Sequence, residues 1–399
     1  MSNGDKECHN MDNYHTHHTY HTWIEISKKA IDHNIAQYKK LVGNKIIAPV
    51  IKGNAYGHGI VEIGRICEKN KAIEWLCVAN LSEALALRKN GIKKPILVLS
   101  YLGPLTPSNI KNLEIAALQN ISLVVYDRGT VNYLSALGKN IGKSFHVHIK
   151  IDTGLSRLGV DAHRAVDFVK YVRNLKRVTV EGIWTHFAES PSEDRSFTDM
   201  QAHKFLQVIK DLETMGITIP IIHSCNSSGI STVNLSCDNF FRLGIGLYGY
   251  WASEYIKKIT QDIYPDFTLQ PTLTWKSKIS CIKNISKQSF VGYDRTYQAK
   301  RDSRIAVISV GYYDGYDRRL SNNGRVIING QIAPIIGIVC MNVFTVDVTE
   351  IKNINVGDEV ILIGNTNGVQ VSEIAKLGNL NPREITTKIN PNTPRVIVD

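Results

Sequence analysis

No two cysteines in the 399-residue chain are spaced as CxxC. The seven present (Cys8, Cys67, Cys77, Cys225, Cys237, Cys281 and Cys340) are odd in number, and most sit in apolar runs. This argues against a disulfide framework and for thiols that act as small hydrophobes in a reducing compartment. No stretch approaches about eighteen uninterrupted apolar residues, so nothing reads as membrane-spanning. The N-terminus also lacks the apolar core of a secretory signal, and a cytoplasmic protein is expected. Basic side chains outnumber acidic ones, 47 to 36, yet they are scattered and accompany no nucleic-acid-binding motif. A solvated basic surface is expected, with no nucleic-acid or membrane partner.

A hydrophobic content of 43% and a charged content of 21% belong to an ordinary globular chain, and this length can bury two cores. The first 22 residues are polar and contain His9, His15, His17, His18 and His21. Nothing organises these imidazoles into a metal site, so residues 1–22 are expected to be a frayed tail. From residue 23 to about 264, eight short β-branched or apolar runs recur: "IIAPVIK", "WLCVAN", "PILVLS", "ISLVVYD", "HVHIKID", "VTVEGIWTH", "IPIIHS" and "FFRLGIGLYG". Helically spaced segments such as Leu81 to Lys89 and Ala162 to Asn174 separate most of them. Eight strands buried on both faces and alternating with helices predict an α/β fold, a (β/α)8 barrel. From residue 265 to 399 the runs follow one another without helices, and Asn329-Gly330 marks a hairpin. This region is expected to be mainly antiparallel β, with one short helix at Ser372 to Leu377.

Chemistry-bearing residues fall at the carboxyl ends of the barrel runs, where this architecture places its sites. Lys52 ends the first run, followed by the small residues Gly53, Ala55 and Gly57, which would let a flat group lie against the backbone. Lys150, Asp152 and Arg157 lie toward the end of "HVHIKIDTGLSRLG", His186 follows "GIWT", and Asn226 and Ser227 follow "IIHS". Arg242 lies in the eighth run, just before Gly244 and Ile245. Any one of these has a bland explanation as a surface or satisfied core residue. Five strands delivering polar groups to one end do not, because unpaired buried polar groups cost about 1–3 kcal/mol each. A lysine with a depressed pKa can form a Schiff base. Backbone N–H groups at Gly244 and Ile245, with the hydroxyls of Ser227 and Tyr56, could cup a phosphate. With His186 as a flat stacking group, the combination points to pyridoxal phosphate.

In order along the chain stand "VIKGNAYGHG", "HIKIDTGLSRLGV", "GIWTHFA", "HSCNSSG", "FRLGIGLYG", "VGYDRTY", "VGYYDGYDR" and "CMNVFTVDV". From about Trp23 to the C-terminus, this series resembles the alanine racemase family of fold-type III pyridoxal phosphate enzymes. The resemblance implies an isomerase that interconverts L- and D-alanine for peptidoglycan. Lys52 would be the lysine bonded to the cofactor and one catalytic base; Tyr293 would be the other, reaching in from the second subunit of a homodimer. Two bases on opposite faces are needed because a single base tends to return the proton to the side it left. Arg157 would bind the substrate carboxylate and steady Tyr293, with Met341 and Tyr312 completing the substrate site. Lys150 matches a lysine that is carbamylated in several members. Tyr56, Asn226, Ser227, Gly244 and Ile245 would hold the cofactor, and His186 would stack on its ring. Arg242 would face the pyridine nitrogen and discourage its protonation, since like charges disfavour a second cation.

The match is not complete. Pro391 stands where a phosphate-contacting tyrosine is expected, Ile338 replaces an arginine, and Asn342 replaces an acid in the substrate channel. Gly53 stands where alanine is usual, and Asp294 and Arg295 replace small residues beside Tyr293. These departures leave a serine or broad-specificity racemase as an alternative. A non-catalytic carrier of the same cofactor is disfavoured because such proteins lack the second domain and the second base. A decarboxylase on the same plan is disfavoured by Arg242.

Overall fold

The computed structural model describes residues 20–103, 106–233 and 235–399. The expected His-rich tail lies, up to residue 19, outside them. Strand β1 (Thr22–Ser27) opens the described chain, and eight strands then build a parallel ring. They are β2 (Ile46–Pro49), β3 (Leu76–Val78), β4 (Ile96–Val98), β5 (Ile121–Val125), β6 (Phe145–Asp152), β8 (Val178–Trp184), β9 (Ile221–His223) and β10 (Phe240–Leu243). The two-residue β7 (Val160–Asp161) merely flanks β6. Continuous parallel pairing runs from β3 to β9, and β10 pairs with β2. The ring closes through backbone hydrogen bonds from Asn239 to Ile222 and from Arg242 to Cys225, and through a bridge between Val50 and Cys77. All eight strands are the runs picked out in the sequence, so the (β/α)8 expectation holds.

The strands are short and apolar because both faces are covered. Ala48, Cys77, Leu97, Val124, Trp184, Ile221 and Phe240 cluster inside the ring. His148 and His223 are equally buried there, with their rings against Phe240. Local signals set the helices between strands. Leu81–Lys89 is capped by the Asn80 side chain, and Arg128–Ile141 is capped by Asp127 and ended by Gly142 in the left-handed region. The segment expected as helix from residue 162 begins as a tight 3-10 turn and continues as helix Ala165–Arg173.

The second domain contains β11 (Leu273–Ile285), β12 (Phe290–Val291), β13 (Tyr297–Gln298), β14 (Ser303–Ile308), β15 (Arg325–Ile328), β16 (Gln331–Ile336), β17 (Phe344–Asp347), β18 (Glu359–Ile363) and β19 (Arg395–Val398). The long β11 pairs with β18 along its first half and with β14 along its second, which closes β14-β17-β16-β15-β18-β11 on itself. Asn329 and Gly330, both at positive φ, turn the β15–β16 hairpin as expected. Two features differ from the sequence reading. β1, placed with the barrel by its position in the chain, pairs instead with β11 and with β19, so it belongs to the second sheet. The late region also holds two helices, Val371–Gly378 and Pro382–Thr387, where one was expected. Among the described residues no helix is long and apolar enough to cross a membrane.

The second of these helices joins the domains. It packs on the turn that follows β2, so tightly that a methyl group on Gly57 would lie 1.8 Å from the Thr386 carbonyl oxygen. Arg395 adds to the joint by donating to the Gly57 carbonyl at 3.0 Å. Gly57 also has φ +88, a conformation that disfavours any side chain. Gly57→Ala should therefore cost about 2–4 kcal/mol of stability. Urea unfolding would measure it, and an unchanged midpoint would show that the two domains do not meet here.

Candidate active site

Past β2 the backbone inverts. Gly53, Asn54, Ala55 and Tyr56 all have φ between 52 and 62°, a left-handed turn with three side-chain-bearing residues. Each such residue costs on the order of 1–2 kcal/mol, so the turn needs external support. Glu83 accepts from the N–H of Gly53 at 2.7 Å and of Ala79 at 2.8 Å, while the Asn54 side chain accepts from Ile60 N–H at 2.9 Å. The turn sends Lys52 and Tyr56 into one cavity. Gly53, Ala55 and Gly57 do not line it, contrary to the expectation that they let a flat group approach the backbone. Gly53 takes up the left-handed conformation, Ala55 is buried, and Gly57 admits the helix from the second domain.

Arg242 projects from β10 and is 2% exposed; among the described residues it forms no ion pair, although the charge of Asp238 reaches it and favours its protonated form. Its guanidinium donates to the carbonyls of Ser224 at 2.7 Å and Thr185 at 2.9 Å, and to His223 Nδ1 at 2.6 Å. A guanidinium can only donate, so His223 Nδ1 accepts and its Nε2 carries the hydrogen. His223 Nε2–H then donates to His148 Nδ1 at 2.9 Å, and His148 Nε2–H donates to Glu181 at 3.3 Å. Every hydrogen in this chain points away from Arg242 and toward a carboxylate at the far end of the barrel. Burial, then the charge of Arg242, holds His223 well below the usual histidine range. Burial also lowers His148, against the pull of Glu181. Burial alone would raise Glu181, but hydrogen bonds from His148 and Ser122 outweigh it and lower its pKa. Gly182 makes room for the relay, since a Cβ there would meet the His148 ring at 2.3 Å.

The cavity measures about 620 Å³, the size of a small-molecule site. It collects Lys52, Tyr56, Lys150, Arg157, His186, Asn226, Ser227, Arg242, Gly244 and Ile245, ten of the barrel residues anticipated from the sequence; Asp152 stays outside, its Oδ1 accepting from Gly154 N–H at 2.9 Å and Ser156 N–H at 3.1 Å. Its wall also carries Arg383 from the second domain, and no Asp or Glu side chain lines it. Among the described residues none of its five cationic side chains forms an ion pair. The wall thus sheds protons wherever it can. Burial, then Arg157, lowers Lys52, and burial, Arg157 and Arg242 lower Lys150 to about 8. His186 is held neutral by burial and by Arg242, which approaches its Nδ1 at 3.3 Å.

One end of the cavity is shaped for an anion. Gly244 N–H donates to Ser227 Oγ at 2.9 Å, and a Cβ on Gly244 would stand 3.2 Å from the Tyr56 hydroxyl. Asn226 is engaged in the frame: its Oδ1 accepts from Ser228 N–H and Gly229 N–H, both at 3.0 Å.

Tyr293, Tyr312 and Met341 do not line the cavity. Tyr293 is 69% exposed on the loop between β12 and β13, and Tyr312 and Met341 are also exposed. Their loops adjoin, with Tyr312 N–H bonded to Cys340 O and Tyr313 N–H to Met341 O. Asp294 and Arg295 beside Tyr293 have φ of 57 and 51°, so the tyrosine stands at the start of a left-handed turn. Ile338, Asn342 and Pro391 also lie off the cavity; the Pro391 carbonyl accepts from Arg395 at 2.8 Å.

Models of the alanine racemase N-terminal domain and C-terminal domain match residues 26–252 and 272–397. The chain belongs to the alanine racemase family. An alanine racemase of Methanococcus maripaludis is 38% identical over 380 residues, covering 94% of this chain and 98% of that protein. One from Clostridium perfringens is 37% identical over 377 residues, 94% of each chain. Among solved structures, an alanine racemase of Clostridium difficile superposes with a TM-score of 0.88 at 32% identity, covering 95% of this chain and 96% of that one. A Bacillus anthracis alanine racemase with bound L-Ala-P gives 0.83 at 30% identity over 95% of each chain. The protein is an isomerase, an amino-acid racemase of this family.

Sequence reasoning missed Arg383, Trp184 and the His223–His148–Glu181 relay. The relay left one trace, since His148 falls on the inward face of "HVHIKID" among apolar neighbours. Arg383 left none, because its place depends on how a short helix docks across domains.

Four buried or half-buried histidines (His58, His148, His186 and His223) have lowered pKa values, burial being the first cause of each, with His58 down to about 3. The unfolded chain takes up protons below about pH 6.5 that the folded chain refuses. Stability should therefore fall as pH drops from 7 to 5, with a slope that grows toward about 1.4 kcal/mol per pH unit for each histidine as the unfolded imidazole becomes fully protonated. Urea unfolding across that range, with His223→Gln losing one histidine's share of the slope, is the check. Equal slopes in the two proteins would contradict the neutral relay.

Proposed function

We propose that the protein racemises alanine with pyridoxal phosphate, using Lys52 and the partner subunit's Tyr293 as paired acid and base. The observation that carries this is the cavity wall, with five cationic side chains, no carboxylate and a lysine of lowered pKa at its centre. The donor set suits the cofactor. Tyr56, Ser227, Gly244 and Ile245 would take its phosphate, His186 a ring face, and Arg242 the pyridine nitrogen. When bound, the group supplies an electron-withdrawing ring that acidifies the amino acid's α-C–H.

The chain's own residues do the rest. Lys52, its pKa lowered by burial and by Arg157, can accept a proton on one side and return it. Arg157 would bind the substrate carboxylate and offer positive charge beside the incoming phenol. Arg242 stays charged because its hydrogen bonds go to carbonyls and a neutral imidazole, so it opposes protonation of the pyridine nitrogen. Lys150, with a pKa lowered to about 8, has enough neutral amine to react with carbon dioxide, forming a carbamate and releasing a proton. That anion would sit beside Arg157 and orient it.

Tyr293 faces solvent within its own chain, as do Tyr312 and Met341. A homodimer in which these loops enter the neighbouring cavity would complete both sites. A cytoplasmic enzyme supplying D-alanine for peptidoglycan is the role that follows.

In D2O the wild type should exchange the α-hydrogen of both alanine enantiomers. Tyr293→Phe should keep exchange with one enantiomer and lose about 10²–10⁴-fold with the other. Lys52→Ala and Tyr293→Phe, each inactive as a racemase, should recover roughly a quarter of the wild-type rate after re-association, since half the random dimers carry one intact site of two. Exchange of both enantiomers at wild-type rates in Tyr293→Phe, or no recovery on mixing, would overturn the shared two-base site.

A further inference from the structure

We propose that Arg383, contributed by the second domain, is a binding residue for the phosphate of the cofactor. The proposal rests on the cofactor reading above and assigns a residue that neither the motifs nor the barrel provides.

Charge accounting in the cavity leads to it. Lys52 and Lys150 can each lose a proton, and burial, then Arg157, lowers the pKa of both. Arg242 spreads its charge over two carbonyls and the His223 relay. Arg157 lies in the loop after β6 and is spoken for by a substrate carboxylate. Arg383 remains. It cannot lose its proton, it lines the cavity, and it has no acidic partner among the described residues. Arg383 is exposed at the edge of a cavity without carboxylates, where its guanidinium is open to an anion from outside.

Geometry says which anion. Helix Pro382–Thr387 packs on the left-handed turn that carries Tyr56, fixed by the Gly57–Thr386 approach and by Arg395 on the Gly57 carbonyl. Arg383 is the second residue of that helix, and its charge reaches the Tyr56 phenol, partly countering the rise that burial causes there. Tyr56 in turn stands at the Gly244–Ser227 cup. Arg383 is therefore on the cup side of the cavity and can add a forked, charge-assisted pair of donors to hydroxyls and backbone N–H groups. The dianion at this end would otherwise rest on neutral donors alone.

The test compares two aldehydes that differ only in the phosphate. Cofactor-free protein is titrated with pyridoxal phosphate and with pyridoxal, following absorbance of the lysine adduct, for wild type, Arg383→Met and Arg383→Lys. Arg383→Met should weaken pyridoxal phosphate about ten- to a hundredfold and leave pyridoxal within about twofold, with Arg383→Lys between. The KM for alanine, measured with saturating cofactor, should stay within about twofold. Equal weakening of both aldehydes, no weakening of either, or a KM effect in place of the affinity effect would overturn the assignment. Wild-type protein that bound neither aldehyde at Lys52 would overturn the cofactor reading itself, and this inference with it.

Discussion

Repulsion among positive charges around one cavity is the constraint on which the rest depends. Lys52, Lys150, Arg157, Arg242 and Arg383 share a wall that holds no carboxylate. Had an Asp or Glu paired with Arg242, the field on Lys52 and Lys150 would weaken and both amines would keep their protons more firmly. Instead Arg242 is satisfied by carbonyl dipoles and a neutral histidine, which solvate the charge without cancelling it. The lowered pKa values of the lysines and of His186 follow from burial together with that choice.

The same wall explains why the protein needs two domains even before any partner is considered. The turn from Gly53 to Tyr56 runs through conformations that its side chains disfavour, and the barrel supplies only part of its support through Glu83 and Asn54. The remainder comes from the second domain, through helix Pro382–Thr387 and Arg395. Strain of this kind persists only where the surroundings over-determine the backbone. The C-terminal sheet, tied back to the start of the chain through β1, therefore holds the lysine turn in shape.

How much was legible follows from how local each signal was. All eight ring strands could be read because parallel strands buried on both faces leave continuous apolar runs, and the polar residues at their ends follow by counting. Lys52, Arg242, Ser227 and Gly244 were found in this way and converge as expected. β1 was misplaced because its partners lie some 250 residues away, and pairing over that distance leaves no mark in a six-residue run. The glycines after Lys52 were noticed but misread. Their composition suggested open space for a ligand, whereas Gly57 is filled by a carbonyl from the other domain. Arg383 and the histidine relay depended on tertiary contact alone.

The exposed position of Tyr293 fits the proposed two-base reaction. Racemisation needs a proton donor and acceptor on each face of one carbon, and the cavity of a single chain offers few candidates. Tyr56 is pushed up by burial and stands at the anion cup. His186 is held neutral with Arg242 against its ring nitrogen, and Lys150 is buried over the Trp184 ring. Only Lys52 remains accessible as an amine of lowered pKa. In the proposed reaction a second base would then come from outside the barrel, and the exposed Tyr293 is the candidate. Its loop carries left-handed backbone at Asp294 and Arg295, and the phenol is exposed, as are Tyr312, Tyr313 and Met341. A cluster of exposed aromatic and thioether side chains on strained or tightly turned loops is poor for an isolated chain and suits a surface that a second copy covers.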